Sequence, residues 1–421
     1  MRNSSFWWIL IVLMIILDLY VFQAVKLVAQ PMGARAKTII YIAYWVVSIS
    51  AMVTLLLLPY LPFIQQSKFL RSTVFAIIIG LFFAKVVSAL FFVIDDVRRG
   101  AQWLAGKLLF KQTEGETIQE GTRISRSAFL SWIGFAAGGG LFSTLIYGFG
   151  NKYRYHINNI PLSFPNLPVA FHGLKVVHIS DIHTGSLTDK KAVLKGVEKI
   201  LKEKPDVILF TGDLVNNVSE EADEFMEIFS RLKAPMGVYS TLGNHDYGDY
   251  AAWDTIEAKK ANLDRIINIH HEMGWRLLMD EHVVLEKEGH QIALLGVQNI
   301  SGKARFHSYG NMHKAYEGAA AYPFKILMSH DPSHWDAEVV PNFSDVDLTL
   351  AGHTHGMQFG VEIPGFKWSP VQYVYKQWAG LYEQSKQKLY VNRGFGFIGY
   401  PGRVGILPEI TVFELKYGQG I

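Results

Sequence analysis

The chain has no cysteine, which excludes disulfides, thiolate metal sites and cysteine nucleophiles and leaves the redox compartment undetermined. No Lys/Arg cluster with interleaved aromatics stands out in its soluble part, and its formal charge of +3 is small, so a nucleic-acid partner is not expected. The first 150 of the 421 residues are poor in charge, whereas the rest mixes charged and apolar residues as ordinary globular domains do. Two units are therefore expected, each large enough to bury a core.

Long uncharged runs fill the first unit. Phe6 to Val25 carries only Asp18, Thr38 to Ser67 carries no charge, Val74 to Ile94 carries only Lys85, and Ser127 to Asn151 carries none. Each is long enough to cross about 30 Å of hydrocarbon as a helix, so four transmembrane helices are expected. The first run is too long for a signal-peptide core and no small-x-small cleavage site follows it. Asp18 and Lys85 are costly inside apolar spans and are expected to pair with each other, to face a polar seam or to snorkel. Gly134 and Gly138 have the spacing of a close helix crossing, or of a local kink.

Short-loop charge sets the expected orientation. Loops one and three carry nine Lys or Arg (Lys26, Arg35, Lys37; Arg98, Arg99, Lys107, Lys111, Arg123, Arg126), against five on the other side (Arg2, Lys68, Arg71, Lys152, Arg154). The excess places loops one and three in the cytoplasm and the soluble domain outside, making a multi-pass membrane protein with an extracytoplasmic domain.

Residues 151–173 contain Pro161, Pro165 and Pro168 with little periodicity, as suits a tether against the domain that occupies 174–421. Leu174 to Ser180 reads as a buried strand. A helical pattern on Val193, Leu194, Val197, Ile200 and Leu201 follows, and Val207 to Phe210 reads as the next strand, completing a βαβ unit. Ser219 to Leu232 is helix-like, Gly237 to Thr241 strand-like and Tyr250 to Gly274 mostly helical, with further strands at Lys325 to Ser329 and Leu348 to Ala351. Such alternation implies an α/β fold, whose ligand crevice lies beyond the carboxyl ends of the strands.

Polar clusters fall at those ends: Asp181-Ile-His183, Gly212-Asp213, Gly243-Asn244-His245-Asp246, Ser329-His330-Asp331 and Gly352-His353-Thr354-His355. Any one could be turn residues or a core histidine. Five together bring carboxylate, carboxamide and imidazole to one edge, the oxygen and nitrogen donors that suit Mn, Fe or Zn. Gly212, Gly243 and Gly352 let the backbone approach the site.

In this order the motifs resemble the calcineurin-like metallophosphoesterases over roughly residues 155–415. The closing Asn392-Arg-Gly, Arg403-Val-Gly and Pro408-Glu-Ile-Thr-Val further resemble the bacterial membrane-associated branch. The resemblance implies a four-layer α/β/β/α sandwich and two divalent or trivalent metal ions. Asp181, His183 and His355 would hold one ion, Asn244, His330 and His353 the other, and Asp213 would bridge them. Two such cations share a hydroxide that is nucleophilic near neutral pH and neutralise phosphoryl charge. His245 would stabilise the transition state or protonate the leaving oxygen, with Asp246 orienting its imidazole. The branch often has Gly-His-Thr-His-Gly-Gly-Gln, whereas here the sixth position is Met357, implying an altered pocket shape. His270, His271, His307, His313 and His334 match no family position and are assigned to surface or packing roles.

These features imply a phosphodiesterase or phosphomonoesterase at the bilayer, and a lipid-linked or envelope phosphoester is the economical substrate. Residues Ile300 to Ala321, with Lys303, Arg305 and His307, read as a lid gripping an anionic head group or as a solvated loop. The alternatives are a UDP-diacylglucosamine-type pyrophosphatase of the lipid-A pathway, a protein phosphatase, a membrane sensor that binds a phosphorylated ligand without turnover, and a transporter resting on Asp18 and Lys85. Metal identity, the ester cleaved and the oligomeric state are open from the sequence.

Overall fold

A computed structural model describes residues 4–109 and 126–418 and divides the chain into two compact units, Met1–Tyr147 and Gly148–Ile421. Arg2, Lys111 and Arg123 of the loop-charge count lie outside the described residues.

Among the described residues, four helices are long and apolar enough to cross a membrane, at Trp8–Ala29, Ala34–Tyr60, Lys68–Lys107 and Arg126–Asn151. The second ends where Pro59 and Pro62 withdraw backbone N–H groups. The third helix, Lys68–Leu109, runs 42 residues, well beyond its apolar stretch. Past Ile94 it is helped by pairs such as Arg98 to Asp95 at 2.7 Å, one turn apart. Gly134 and Gly138 make a close crossing: a Cβ on Gly138 would lie 2.3 Å from the Ala84 carbonyl oxygen, and Ser88 Oγ donates to the Gly134 carbonyl at 2.9 Å.

Asp18 and Lys85 do pair. Lys85 Nζ lies 2.5 Å from Asp18 Oδ1, and the Tyr44 and Ser48 hydroxyls donate to the same oxygen at 2.8 and 2.9 Å. Because the Lys85 ammonium would lose its counter-charge and keep only the neutral Ser48 hydroxyl, 2.8 Å away, as acceptor, Asp18→Ala should lower stability by about 2 kcal/mol. The check is thermal unfolding in detergent, and adding Lys85→Met should recover part of the loss.

The second unit is two sheets with helices outside them. The first sheet uses β1 (His156–Phe164), β2 (Leu174–Ile179), β3 (Val207–Phe210), β4 (Val238–Ser240) and β5 (Arg276–Leu277). The second uses β6 (Glu281–Lys287), β7 (His290–Gly296), β8 (Lys325–Met328) and β9 (Leu348–Ala351). A separate hairpin, β10 (Val361–Ile363) and β11 (Phe366–Trp368), precedes β12 (Gly380–Gln384), β13 (Gln387–Val391) and β14 (Glu409–Tyr417). The strand orders are β1-β14-β2-β3-β4-β5 and β12-β13-β9-β8-β7-β6. Strands β2 to β5 are mutually parallel, as are β7, β8, β9 and β13.

Val176, Val207 and Leu209 of the first sheet bury against Leu294, Ile326, Leu348 and Leu350 of the second. Helix Lys190–Lys202, N-capped by Asp189, and helix Ile256–Glu272, N-capped by Thr255, cover the outer face of the first sheet. Met312, Ala315, Trp335 and Val339 cover the second. The architecture is the expected helix, sheet, sheet, helix sandwich.

Two segments differ from expectation. The 151–173 stretch holds β1, which pairs in parallel with β14 at the sheet edge. Pro161, which has no N–H to donate, is tolerated because β1 is an edge strand with a neighbour on one side only. Ser219 to Leu232 is not one helix but short turns at Ser219–Glu221 and Met226–Phe229. The Glu221 carboxylate is drawn away to accept N–H bonds from Asn216 and Asn217 at 2.6 and 3.2 Å.

Candidate metal centre

β2, β3, β4, β8 and β9 all end at one edge, and the five polar clusters follow them. The ends crowd together because glycine leaves room: a Cβ on Gly243 would stand 2.2 Å from Asp213 Oδ1, and one on Gly352 2.2 Å from Asp181 Oδ2. Asp181, His183, Asp213, His353 and His355 all have φ between +50° and +69°, backbone strain concentrated where the side chains converge.

Two groups of donors result, Asp181 with His183 and His355, and Asp213 with His330 and His353. In the first, His183 Nε2 lies 3.0 Å from His355 Nε2, which lies 3.2 Å from Asp181 Oδ1. In the second, His330 Nε2 lies 3.1 Å from Asp213 Oδ2, and His353 Nδ1 lies 2.7 Å from Asn244 Oδ1 and 3.3 Å from His330 Nε2. Asp213 Oδ2 also lies 3.5 Å from His183 Nε2, so one carboxylate oxygen faces both groups. All seven residues expected to hold metal are thus brought together.

The donor set fits metal ions. His183 Nδ1 faces the Val215 carbonyl at 3.1 Å and His330 Nδ1 the Thr211 carbonyl at 2.7 Å, so both must donate there. Their Nε2 atoms are thereby turned inward, the arrangement by which backbone acceptors fix a metal-ligating imidazole. Among the described residues, neither Asp181 nor Asp213 has a Lys or Arg ion pair. Burial would raise both carboxyls, yet neighbouring imidazoles, His355 for Asp181 and His330 for Asp213, hold them well below the usual range. Burial lowers His183 to about 3; it would lower His330 too, but the charge and hydrogen bond of Asp213, the Asp181 charge and the Thr211 carbonyl together raise His330 to about 10. The cluster favours positive charge beside its carboxylates.

His245 lies beside the groups, its ring centroid 5.0 Å from that of His183. Asp246 does not orient it. The Asp246 carboxylate instead accepts backbone N–H bonds from Asp213, Leu214, Val215 and Gly243 at 2.8–3.2 Å, because the turn at Asn244–Tyr247 points the side chain back beneath the metal loops. The imidazole is fixed by the Asn216 carbonyl, 2.6 Å from Nδ1.

Three residues support the groups: Asn216 and Tyr375 carry no signal in the sequence, and Arg403 stands out there only as part of a closing motif with no role attached. Asn216 supplies that carbonyl. Tyr375 places its hydroxyl 2.8 Å from His353 Nε2, and Arg403, wholly buried, lies 3.3 Å from His355 Nδ1 and donates to the His355 carbonyl at 3.2 Å. Burial lowers the Arg403 guanidinium to about 9. Tyr375→Phe should weaken metal retention or turnover by roughly 10–100-fold while leaving the fold intact. Metal titration and circular dichroism would separate the two effects. Of the remaining histidines, His270 is buried among Phe210 and Trp275, and His334 is held between Ser329 and Glu338, both packing roles.

A cavity of about 410 Å³ lies within the membrane unit, and one of about 370 Å³ opens on the cluster. The second is lined by His183, Asp213, Asn244, His245, His353 and His355 and walled by Arg305, Phe306, Met357, Val371, Val374 and Tyr375.

Fold and cluster define a class: a two-sheet α/β sandwich with buried Asp, Asn and His donors at its strand ends, preceded in the chain by four membrane-length helices. The chain belongs to the calcineurin-like phosphoesterases. Residues 174–357 match that family's model, and residues 1–151 match the one described as "Probable Calcineurin-like phosphoesterase, transmembrane domain". It is 28% identical to a transmembrane protein with metallophosphoesterase domain of Danio rerio over 279 residues, 64% of this chain and 60% of that one. It is 29% identical over 309 residues to the uncharacterized metallophosphoesterase YkuE of Bacillus subtilis, covering 70% and 98%. It is 26% identical over 310 residues to the UDP-2,3-diacylglucosamine pyrophosphatase LpxG of Chlamydia muridarum, covering 61% and 87%. The chain spans less than two thirds of the Danio protein's length, and its relatives are both bacterial and vertebrate.

Proposed function

We propose that the protein is a metal-dependent phosphoester hydrolase of the membrane that works with two metal ions. The observation that carries this reading is the pair of donor groups facing one Asp213 oxygen. Asp181, His183 and His355 would hold one ion, Asn244, His330 and His353 the other, with Asp213 common to both. When bound, such ions supply a water-derived nucleophile near neutral pH and neutralise phosphoryl charge.

The chain's own residues do the rest. His245, whose Nδ1–H is committed to the Asn216 carbonyl, presents Nε2 to the cavity, where the doubly protonated imidazolium would donate to a phosphoryl oxygen or pass its Nε2 proton to the leaving oxygen. Asp246 keeps the Asp213 and Asn244 loops in register, and Arg403 and Tyr375 set the imidazoles of His355 and His353. Arg305, at the cavity wall beside Phe306, supports the lid reading of the 300–321 segment, since a guanidinium there meets an anionic head group.

A lipid-linked or envelope phosphoester is the proposed substrate, supported by the membrane helices and by relatives named for a pyrophosphatase of a diacylated sugar nucleotide. The domain is proposed to be extracytoplasmic on the loop charges, and a C-terminal reporter active only in the cytoplasm would refute that. Turnover of bis(p-nitrophenyl) phosphate and p-nitrophenyl phosphate, with and without manganese, tests the activity. Metal-stimulated hydrolysis is expected, and metal binding without turnover of any ester would favour the sensor.

A further inference from the structure

We propose that the β10–β11 hairpin is a membrane-docking element that rests its apolar face in the lipid bilayer surface. This inference goes beyond the hydrolase reading and does not depend on it.

The hairpin is inside out. Cross-strand pairing sets Val361 opposite Trp368 and Ile363 opposite Phe366 on one face, and Glu362 opposite Lys367 on the other. A two-stranded ribbon on a water-soluble domain is expected to bury the first face and expose the second. Here both faces stay open to solvent, and it is the polar one that makes the contacts to the protein. Glu362 accepts from Arg393 Nε at 3.0 Å, and Lys367 donates to the Ala379 carbonyl with its ammonium over the Trp378 ring. The apolar face is turned out, with Ile363 58% and Phe366 55% exposed. Tyr373 and Val374, on the turn that follows, extend the same kind of surface. A contiguous apolar patch of this kind marks an interaction site.

The occupant follows from where the patch begins. The fourth span ends at Asn151. Its last residues are fastened to the Arg403–Val404 segment, which bridges Phe359 just before the hairpin: Arg403 N–H donates to the Gly148 carbonyl at 3.0 Å, and Asn151 Nδ2 donates to the Arg403 carbonyl at 3.2 Å. Val404 N–H then donates to the Gln358 carbonyl at 2.8 Å and Gly360 N–H to the Val404 carbonyl at 2.9 Å. Two residue contacts thus separate the end of a membrane-spanning helix from the base of the exposed ribbon. Phe, Trp and Tyr beside the exposed Lys376 are the residue types that settle at the boundary of headgroups and acyl chains. Met357 and Val374 belong both to this exposed surface and to the wall of the catalytic cavity, so docking would turn the cavity mouth toward lipid.

Because the chain has no cysteine, single-cysteine labelling is clean. Full-length Ile363→Cys and Phe366→Cys would each carry an environment-sensitive fluorophore in nanodiscs of phosphatidylcholine and phosphatidylglycerol. His290→Cys, exposed at the start of β7 and hence at the sheet end opposite the metal cluster, is the control. Blue-shifted emission quenched by nitroxide-bearing lipid at 363 and 366, but not at 290, is expected. Water-like emission at 363 and 366, or a blue shift that lipid nitroxide leaves unquenched and that grows with protein loading, would overturn the proposal, the latter in favour of a second copy. Neither readout requires turnover, so a failed hydrolase assay leaves the result interpretable.

Discussion

Asp213→Ala is expected to lower kcat/KM for an aryl phosphodiester by on the order of 10³-fold or more, the scale on which loss of one preorganised charge-stabilising group is felt. The expectation rests on position. Its Oδ2 faces His330 at 3.1 Å and His183 at 3.5 Å, while Oδ1 accepts the His245 backbone N–H at 2.9 Å. Removing the side chain therefore takes a donor from both groups and releases the loop that carries the proposed acid. Asp213→Asn keeps the size and the N–H acceptor but halves the anionic charge of the carboxylate pair, so it should fail nearly as badly. Steady-state rates with circular dichroism on both variants provide the check, and a rate equal to wild type would remove the two-group reading.

Glu409→Ala is expected to cost about 3–5 kcal/mol of stability, because it strips a buried guanidinium of its partner. Arg393 Nη1 lies 2.7 Å from Glu409 Oε2, and the Tyr390 hydroxyl, Asn158 Nδ2 and Thr411 hydroxyl all turn to the other oxygen. Glu362 remains beside Arg393 but reaches only the other edge of the guanidinium. The same pair predicts a pH effect. Burial alone would raise the Glu409 carboxyl, yet Arg393 and the hydrogen bonds pull it from 4.5 down to about 2. A carboxyl held low in the folded state stabilises it fully above 4.5 and progressively less as pH falls toward 2. Wild type should therefore lose stability across that window, and Glu409→Gln, which cannot titrate, should start lower and slope less. Denaturant titrations at pH 6, 4 and 3 would show the difference in slope.

The site was legible in the sequence because each donor follows its strand directly, so reading where apolar runs stop also reads the ligand edge. Its supports were not, because they arrive from far along the chain. Tyr375 reaches His353 across 22 positions with nothing local to announce it, and Arg403 reaches His355 across 48, its motif giving no hint of which imidazole it meets. Adjacency misled at Asp246, since neighbouring residues in a tight turn point apart and its carboxylate found four backbone donors instead. The same limit hid β1: its prolines and weak alternation suit a tether, and only β14, more than 250 positions on, makes it a strand. In the membrane unit, by contrast, a lone Asp and a lone Lys in apolar runs had few places to go but toward each other.

The most direct test of the two-metal account is the metal content of the purified full-length chain, by plasma mass spectrometry after equilibration with manganese, iron or zinc. About two ions per folded chain, falling in Asp213→Ala, is the result the shared carboxylate predicts. A folded wild-type chain that retains no more than a single ion under all three conditions would contradict it.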